Sequence, residues 1–206
     1  MKIAMLIRIF GLACCLSHSL ATWAAPLAQV KTNKTWTNAS EVSAIEDKIQ
    51  ISSSSDDGQN ILVNAVPAAD TTPLIHDAYL SDALVTMEYL LPADARAYLL
   101  LQKRYQIKLT GLNNEWQHIE VKYRTARFDQ ALKKTEPVFV LQVKVNAEVT
   151  ATNLAFNDLS EHALDNWENP AGRMAVLANW GPFALRNFKV QSSATLEAYY
   201  SLYSFK

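Results

Sequence analysis

The sequence predicts an all-β protein: two antiparallel sheets packed face to face as a jelly-roll sandwich, with at most one short helix. Three observations carry this. About ten short stretches alternate apolar and polar residues with the period of two that a strand imposes. Turn signals rich in Asn, Asp, Ser or Pro separate them. Only the stretch DLSEHALDNW, residues 158–167, is spaced and capped like a helix, with Asp158 or Ser160 placed to bind free amides at its start. The 206 residues, 50% of them hydrophobic, fit a single domain. Such a chain buries roughly 70% of its unfolded surface and needs neither disulfide nor metal to hold it. Its net charge of -1, with both signs mixed along the chain, offers no basic field for nucleic acid. Glycine is scarce, 5 of 206 residues, so tight turns are expected to lean on Asn, Asp and Pro.

The first 24 residues have the form of an export signal. Lys2 and Arg8 supply a positive start, Ile9 to Leu16 an apolar run, and Thr22-Trp23-Ala24 a cleavable end. The protein is therefore expected in the periplasm or secreted. Arg8 and His18 break the apolar run short of the ~20 residues that span a bilayer, so no transmembrane span is expected. Both cysteines, Cys14 and Cys15, lie inside this signal, which leaves the mature chain without any. The alternative is a lipid anchor on Cys14 or Cys15.

Residues 25–37 read as a mobile lead-in, and the domain is expected over 38–206. Glu41 to Ser52 suits a short strand pair, the run from Ser52 to Asn60 a turn, and Ile61 to Val66 a strand closed by Pro67. Tyr79 to Leu109 reads as two long strands joined by a Pro/Asp loop. Their alternation is expected to put Thr86, Glu88, Gln106 and Lys108 on one polar face, with Val85, Met87, Tyr105, Ile107 and Leu109 entering the core. Leu112 to Glu115 makes a turn. Trp116 to Tyr123 alternates Gln117, Ile119, Val121 and Tyr123 against Trp116, His118, Glu120 and Lys122. Past a basic loop at Lys133 and Lys134, Val138 to Asn146 sets Phe139, Leu141, Val143 and Val145 against Val140, Gln142, Lys144 and Asn146. Gly172 to Leu177 and Pro182 to Gln191 are strands around a turn at Asn179 to Pro182. The tail alternates Leu196, Ala198, Tyr200 and Leu202 against Glu197, Tyr199, Tyr203 and Phe205, as a last strand does.

The inventory for chemistry is thin. His76, His118 and His162 lack metal-ligand spacing, and there is neither a phosphate-cradling glycine loop nor a nucleophile elbow. No metal or cofactor is expected. Glu88, in mid-strand, is the candidate carboxylate for acid or base work; the plainer reading is a solvated strand glutamate or one half of a cross-strand ion pair with Lys108. Trp116, Trp167 and Trp180 offer either an apolar platform for a sugar ring or ordinary core.

Several pieces together resemble the 3-keto-disaccharide hydrolase domain family, exported bacterial proteins with a concanavalin-like jelly roll. Met87-Glu88-Tyr89 resembles the family's strand ending in glutamate and an aromatic residue, and the stretch Leu101 to Leu109 its tyrosine strand. Glu115-Trp116-Gln117 is similar to its Glu-Trp pair, Thr125 to Asp129 to its Pro-Arg-Phe-Asp loop, and Asn146-Ala147-Glu148-Val149 to its Asn-Gly-Val hairpin. Asn179 to Val190 is similar to its ending, a Gly-Pro strand that leads into Phe-Arg-Asn-Ile. The match runs from about Trp36 to Val190 in order. Departures gather where the family's site lies: Arg96-Ala97-Tyr98 stands for Asn-Ser-Gly, Gln106 for a glutamate, Lys108 for a glutamine, and Gly111 near an aspartate.

The resemblance implies a carbohydrate or glycoside ligand, with hydrolysis weak or lost because glycoside cleavage generally uses two carboxyl groups. Glu88 is the residual catalytic candidate, with Asp129 or Glu120 as its partner if cleavage survives. Gln106, Lys108, Arg96, Tyr98, Trp116, Gln142, Lys144 and Trp180 are the expected ligand-binding residues. A third reading is an interaction module that pairs through the edge of the Tyr199 to Phe205 strand.

Overall fold

The computed structural model describes residues 61–64, 72–112 and 115–192 in full, and the backbone of 30–31 and 36–38. The early strands are β1 (Val30–Lys31), β2 (Trp36–Asn38), β3 (Leu62–Asn64) and β4 (Leu74–Leu80). Then come β5 (Ala83–Leu90), β6 (Arg96–Leu101), β7 (Tyr105–Leu109) and β8 (Gln117–Arg124). A short ribbon, β9 (Arg127–Phe128) and β10 (Lys134–Glu136), precedes β11 (Val138–Val145) and β12 (Glu148–Phe156). The chain is closed by β13 (Gly172–Trp180) and β14 (Phe183–Ser192). Seven strands form one sheet in the order β12-β11-β8-β5-β14-β3-β2, and five form the other, β1-β4-β13-β6-β7. The paired strands run antiparallel. This is the all-β, two-sheet sandwich that the alternation predicts.

The core fills the space between the sheets. Val85, Met87 and Tyr89 of β5, Ile119, Val121 and Tyr123 of β8, and Phe183, Leu185, Phe188 and Val190 of β14 meet Ala97, Leu99 and Leu101 of β6 and Met174, Val176 and Ala178 of β13 in one buried cluster. Each large side chain there contributes about 1.5–3 kcal/mol by leaving water. The buried tyrosines reach polar partners at the rim: Tyr123 Oη donates to Ser81 O at 2.9 Å and Tyr89 Oη to Thr110 O at 3.1 Å. The crossover from β4 to β5 is clamped by Asp82, whose buried carboxylate accepts from the Thr125 amide and hydroxyl and from both terminal nitrogens of Arg127.

Four expectations are corrected. The residues between Tyr79 and Leu109 do not form two strands with a shared polar face: β5 lies in the seven-stranded sheet, while β6 and β7 form a hairpin in the five-stranded one. The alternation is preserved along each strand, but the chain crosses the sandwich through Leu91 to Ala95, so the polar faces of β5 and β7 point away from each other. Gly111 enables that crossing, because a Cβ there would run into the backbone of Leu91 and Pro92. Residues 158–167 form no helix. They make a single turn, Ala163 N to Ser160 O, and the neighbouring amides of Ser160 and Leu164 bond instead to the carbonyls of Arg104 and Lys103. In β11 a bulge between Val140 and Gln142 breaks the simple alternation: Val138, Val140 and Val143 face the core, whereas Phe139 and Leu141 are only half-buried. Finally, the turns lean on more than the expected Asn, Asp and Pro. Among the described residues, positive φ falls on Asn146, Asn153 and Asn187, but also on Gln102, Lys103, Leu132 and Ala147.

The stretch 25–37 supplies β1 and the first residues of β2, and so takes part in both sheets. The export signal, the expected strand pair over 41–52 and the tyrosine-rich tail lie outside the described residues.

Candidate functional site

The outer face of the seven-stranded sheet carries the side chains that alternate with the core. Register sets Glu88 of β5 directly between His118 of β8 and Arg186 of β14. A bulge in β14 falls at this point, between Arg186 and Lys189, with Asn187 at φ 54°. The extra residue turns Arg186 and Asn187 to the same side. Both then reach the carboxylate: Arg186 Nε donates to Glu88 Oε2 at 2.6 Å, and Asn187 Nδ2 donates to Oε1 at 3.1 Å. The Arg186 guanidinium also lies over the Trp116 ring, 4.1 Å from its centroid. The cluster is thus a carboxylate, a guanidinium, an amide and an indole held by three adjacent elements.

A second carboxylate sits on the same face. Glu120 pairs in register with Thr86, two residues along from the Glu88 and His118 pair, which makes Glu88 and Glu120 diagonal neighbours roughly 7 Å apart at their β-carbons. Glu120 Oε1 is shared by Lys122 Nζ and Lys144 Nζ, each at 3.5 Å. Asp129, the other expected partner of Glu88, is spent on its own loop, where Oδ1 accepts from the amides of Ala131 and Lys133. The rim beside His118 is set by the β11–β12 hairpin: Asn146 Oδ1 accepts from His118 N at 2.9 Å, and Asn146 N donates to His118 O at 2.8 Å.

The expected binding residues divide between the two sheets. Glu88, Trp116, Gln142 and Lys144 belong to the seven-stranded sheet and its approach. Gln106, Lys108, Arg96 and Tyr98 lie on β6 and β7, on the outer side of the other sheet, with Trp180 opposite Arg96 at its end. The pairing of Glu88 with Lys108 is therefore replaced by the pairing with Arg186. Trp180, 55% exposed, and Trp167, 75% exposed, are not core residues.

Arg186, Asn187 and His118 were not among the expected site residues. One signal for the first two was present: two polar residues in succession inside the alternation Phe183-Ala184-Leu185-Arg186-Asn187-Phe188 mark a bulge. Nothing local to Glu88 points to a partner 98 residues away.

The outer side of the five-stranded sheet is built differently. Leu100, Ala175 and Leu177 form a small buried apolar cluster there, with Ile75 and Tyr98 packed on it. The segment after β12 lies along the β7 edge: Gln106 N donates to Ser160 Oγ at 2.8 Å, and the Tyr98 ring meets His162 at 4.6 Å. Arg104, with Lys103, holds Asp165, while Lys134 and Tyr105 hold Glu168. A backbone amide from Trp167 and the two cations lower the Asp165 pKa against the opposing effect of burial. Burial works to raise that of Glu168, but the hydrogen bonds from Lys134 and Tyr105 prevail and lower it.

No protein-family model matches this chain, and no curated protein matches it. Among solved structures, one protein of Parabacteroides distasonis ATCC 8503, described as a "putative glycosyl hydrolase", shares 13% identity with a TM-score of 0.53 over 82% of this chain and 83% of its own. Another so described shares 9% identity with a TM-score of 0.48 over 82% of this chain and 95% of its own. The first shows that the two proteins share a fold; at such identities nothing about residues is transferred.

Proposed function

We propose that this protein is an exported carbohydrate-binding domain, and that a glycoside lies across the outer face of the seven-stranded sheet at Glu88. The observation that carries the reading is the bulge at Asn187, a left-handed non-glycine residue that turns two donors onto one carboxylate beside an indole. Bulges are over-represented beside active sites, where they re-aim side chains. Two of the roughly four acceptor positions of Glu88 are taken by Arg186 and Asn187, which leaves lone pairs for sugar hydroxyls. Lys144 and Gln142 supply further polar contacts, and Trp116 an apolar wall. The fold shared with a protein described as a glycosyl hydrolase, and the resemblance to 3-keto-disaccharide hydrolases, favour a carbohydrate over other polar ligands.

Calorimetric titration with neutral disaccharides and their 3-keto forms tests this: saturable binding is expected, weakened at least tenfold by Glu88→Gln. Absence of binding at millimolar sugar overturns it. Hydrolysis is the second reading, favoured by Glu120, the second carboxylate on the same face and a diagonal neighbour of Glu88, since glycoside cleavage uses two carboxyl groups. It requires turnover that both Glu88→Gln and Glu120→Gln abolish. Export is checked by the N-terminus of the mature protein, expected at Ala25; a lipid-modified Cys14 or Cys15 would instead make it an anchored form.

A further inference from the structure

On the far side of the sandwich from Glu88, the turn between β6 and β7 opens onto a cavity of about 230 Å³. Its wall carries Lys103, Arg104 and Arg173 against one carboxylate, Asp165. Arg104 is the unusual member: it is 2% exposed, so its charge has left water, yet only Nη2 has a carboxylate, Asp165 Oδ2 at 3.1 Å. Its Nε and Nη1 are buried and have no hydrogen-bond partner among the described residues. A guanidinium out of water with two of its three nitrogens unanswered is costly unless something supplies acceptors. Glu168, the nearby alternative, is committed to Tyr105 and Lys134.

The backbone that presents Arg104 is itself strained. Gln102 and Lys103 stand in succession at φ 52° and 61°, without a glycine between them. The turn brings Lys103 Nζ to 3.7 Å from the same Asp165 oxygen. Arg173 stands across from Tyr79 in the β13–β4 register, and Tyr79, 59% exposed, lines the same cavity.

We propose that this cavity is a binding site for an oxyanion carried on a small ring, of which a sugar acid is the simplest case. Lys103 and Arg173 take the anionic group, Arg173 with the guanidinium fork that matches carboxylate and sulfate oxygens, and the charge of the buried Arg104 behind them adds to the attraction. The Tyr79 ring covers the apolar side of the sugar. Asp165 opposes the anion and sets its affinity low.

The test is calorimetric titration of the full chain with glucuronate, glucose and inorganic sulfate, at ionic strength held constant with chloride. Glucuronate is expected to bind with a dissociation constant on the order of 1 mM, to be displaced by sulfate, and to exceed glucose at least tenfold. Lys103→Ala combined with Arg173→Ala, both on the protein surface, should weaken glucuronate at least tenfold with an unchanged circular dichroism spectrum. Asp165→Asn should strengthen it, and Glu88→Gln, on the other sheet, should leave it as it was. Equal binding of glucose and glucuronate, indifference to the double substitution, or no saturable heat with glucuronate overturns the proposal. Loss of glucuronate binding in Glu88→Gln would move the anion to the other sheet and overturn it as well.

Discussion

The outer faces of the two sheets carry nearly the same kind of alternation and are put to opposite uses. On the seven-stranded sheet polar residues of β5 and β14, and of β8 and β11, bind one another across strands, with Glu88, Arg186 and Asn187 at the centre. On the five-stranded sheet, the residues of β6 and β7 are partly covered by a loop, whose Ser160, His162 and Asp165 hold Gln106, Tyr98 and Arg104. A polar residue at an outward position is thus a candidate for binding only if nothing else in the fold lies over it.

Substitutions on the two faces should separate these roles. The largest loss of stability is expected from Asp165→Ala, which strips the buried Arg104 of its carboxylate. Breaking a fully buried pair costs about 3–5 kcal/mol; with Asp165 33% exposed and partly screened, about 2 kcal/mol is expected in a urea titration. Glu88→Gln should instead cost less than about 1 kcal/mol of stability but at least tenfold in sugar affinity, about 1.4 kcal/mol. If the two substitutions exchanged these effects, the assignment of faces would be reversed.

Smaller is Ala147→Gly, at the hairpin tip that orders the rim beside His118. Ala147 is held at φ 68°, a conformation that costs a side chain roughly 1 kcal/mol and glycine almost nothing, so chemical denaturation should show a gain of about that size. The least is a pH effect confined to the covered face. The folded pKa values of Asp165 and Glu168 lie below their ordinary 3.8 and 4.5, so their contribution is complete above those values and is lost as pH falls through the lower folded ones. The protection of the Ser160 and Leu164 amides against hydrogen exchange, taken relative to the intrinsic rate at each pH, should therefore fall in acid before that of β5 and β8 does.

Much of this was legible from residue order. The core sets of β5, β7 and β8 follow directly from their alternation, and Glu88 was singled out by its place in the middle of a strand. What misled was regularity. One bulge in β11 moved Val140 to the core side, and the spacing from Asp158 to Trp167 fits a helix whose amides in fact bond to Lys103 and Arg104. In the second case a contact made elsewhere in the chain overrides a local preference.

Residue order alone determined the all-β class, the inward and outward side of most strand residues, and the carboxylate at 88, because a period of two is a property of neighbouring residues. Only the tertiary structure decided which sheet each strand joined. That choice separated Gln106 and Lys108 from Glu88 and gave it Arg186 and Asn187 instead, through a chain crossing at Leu91 to Ala95 and a bulge in β14. Partners so distant along the chain are selected by packing, and alternation carries no record of them.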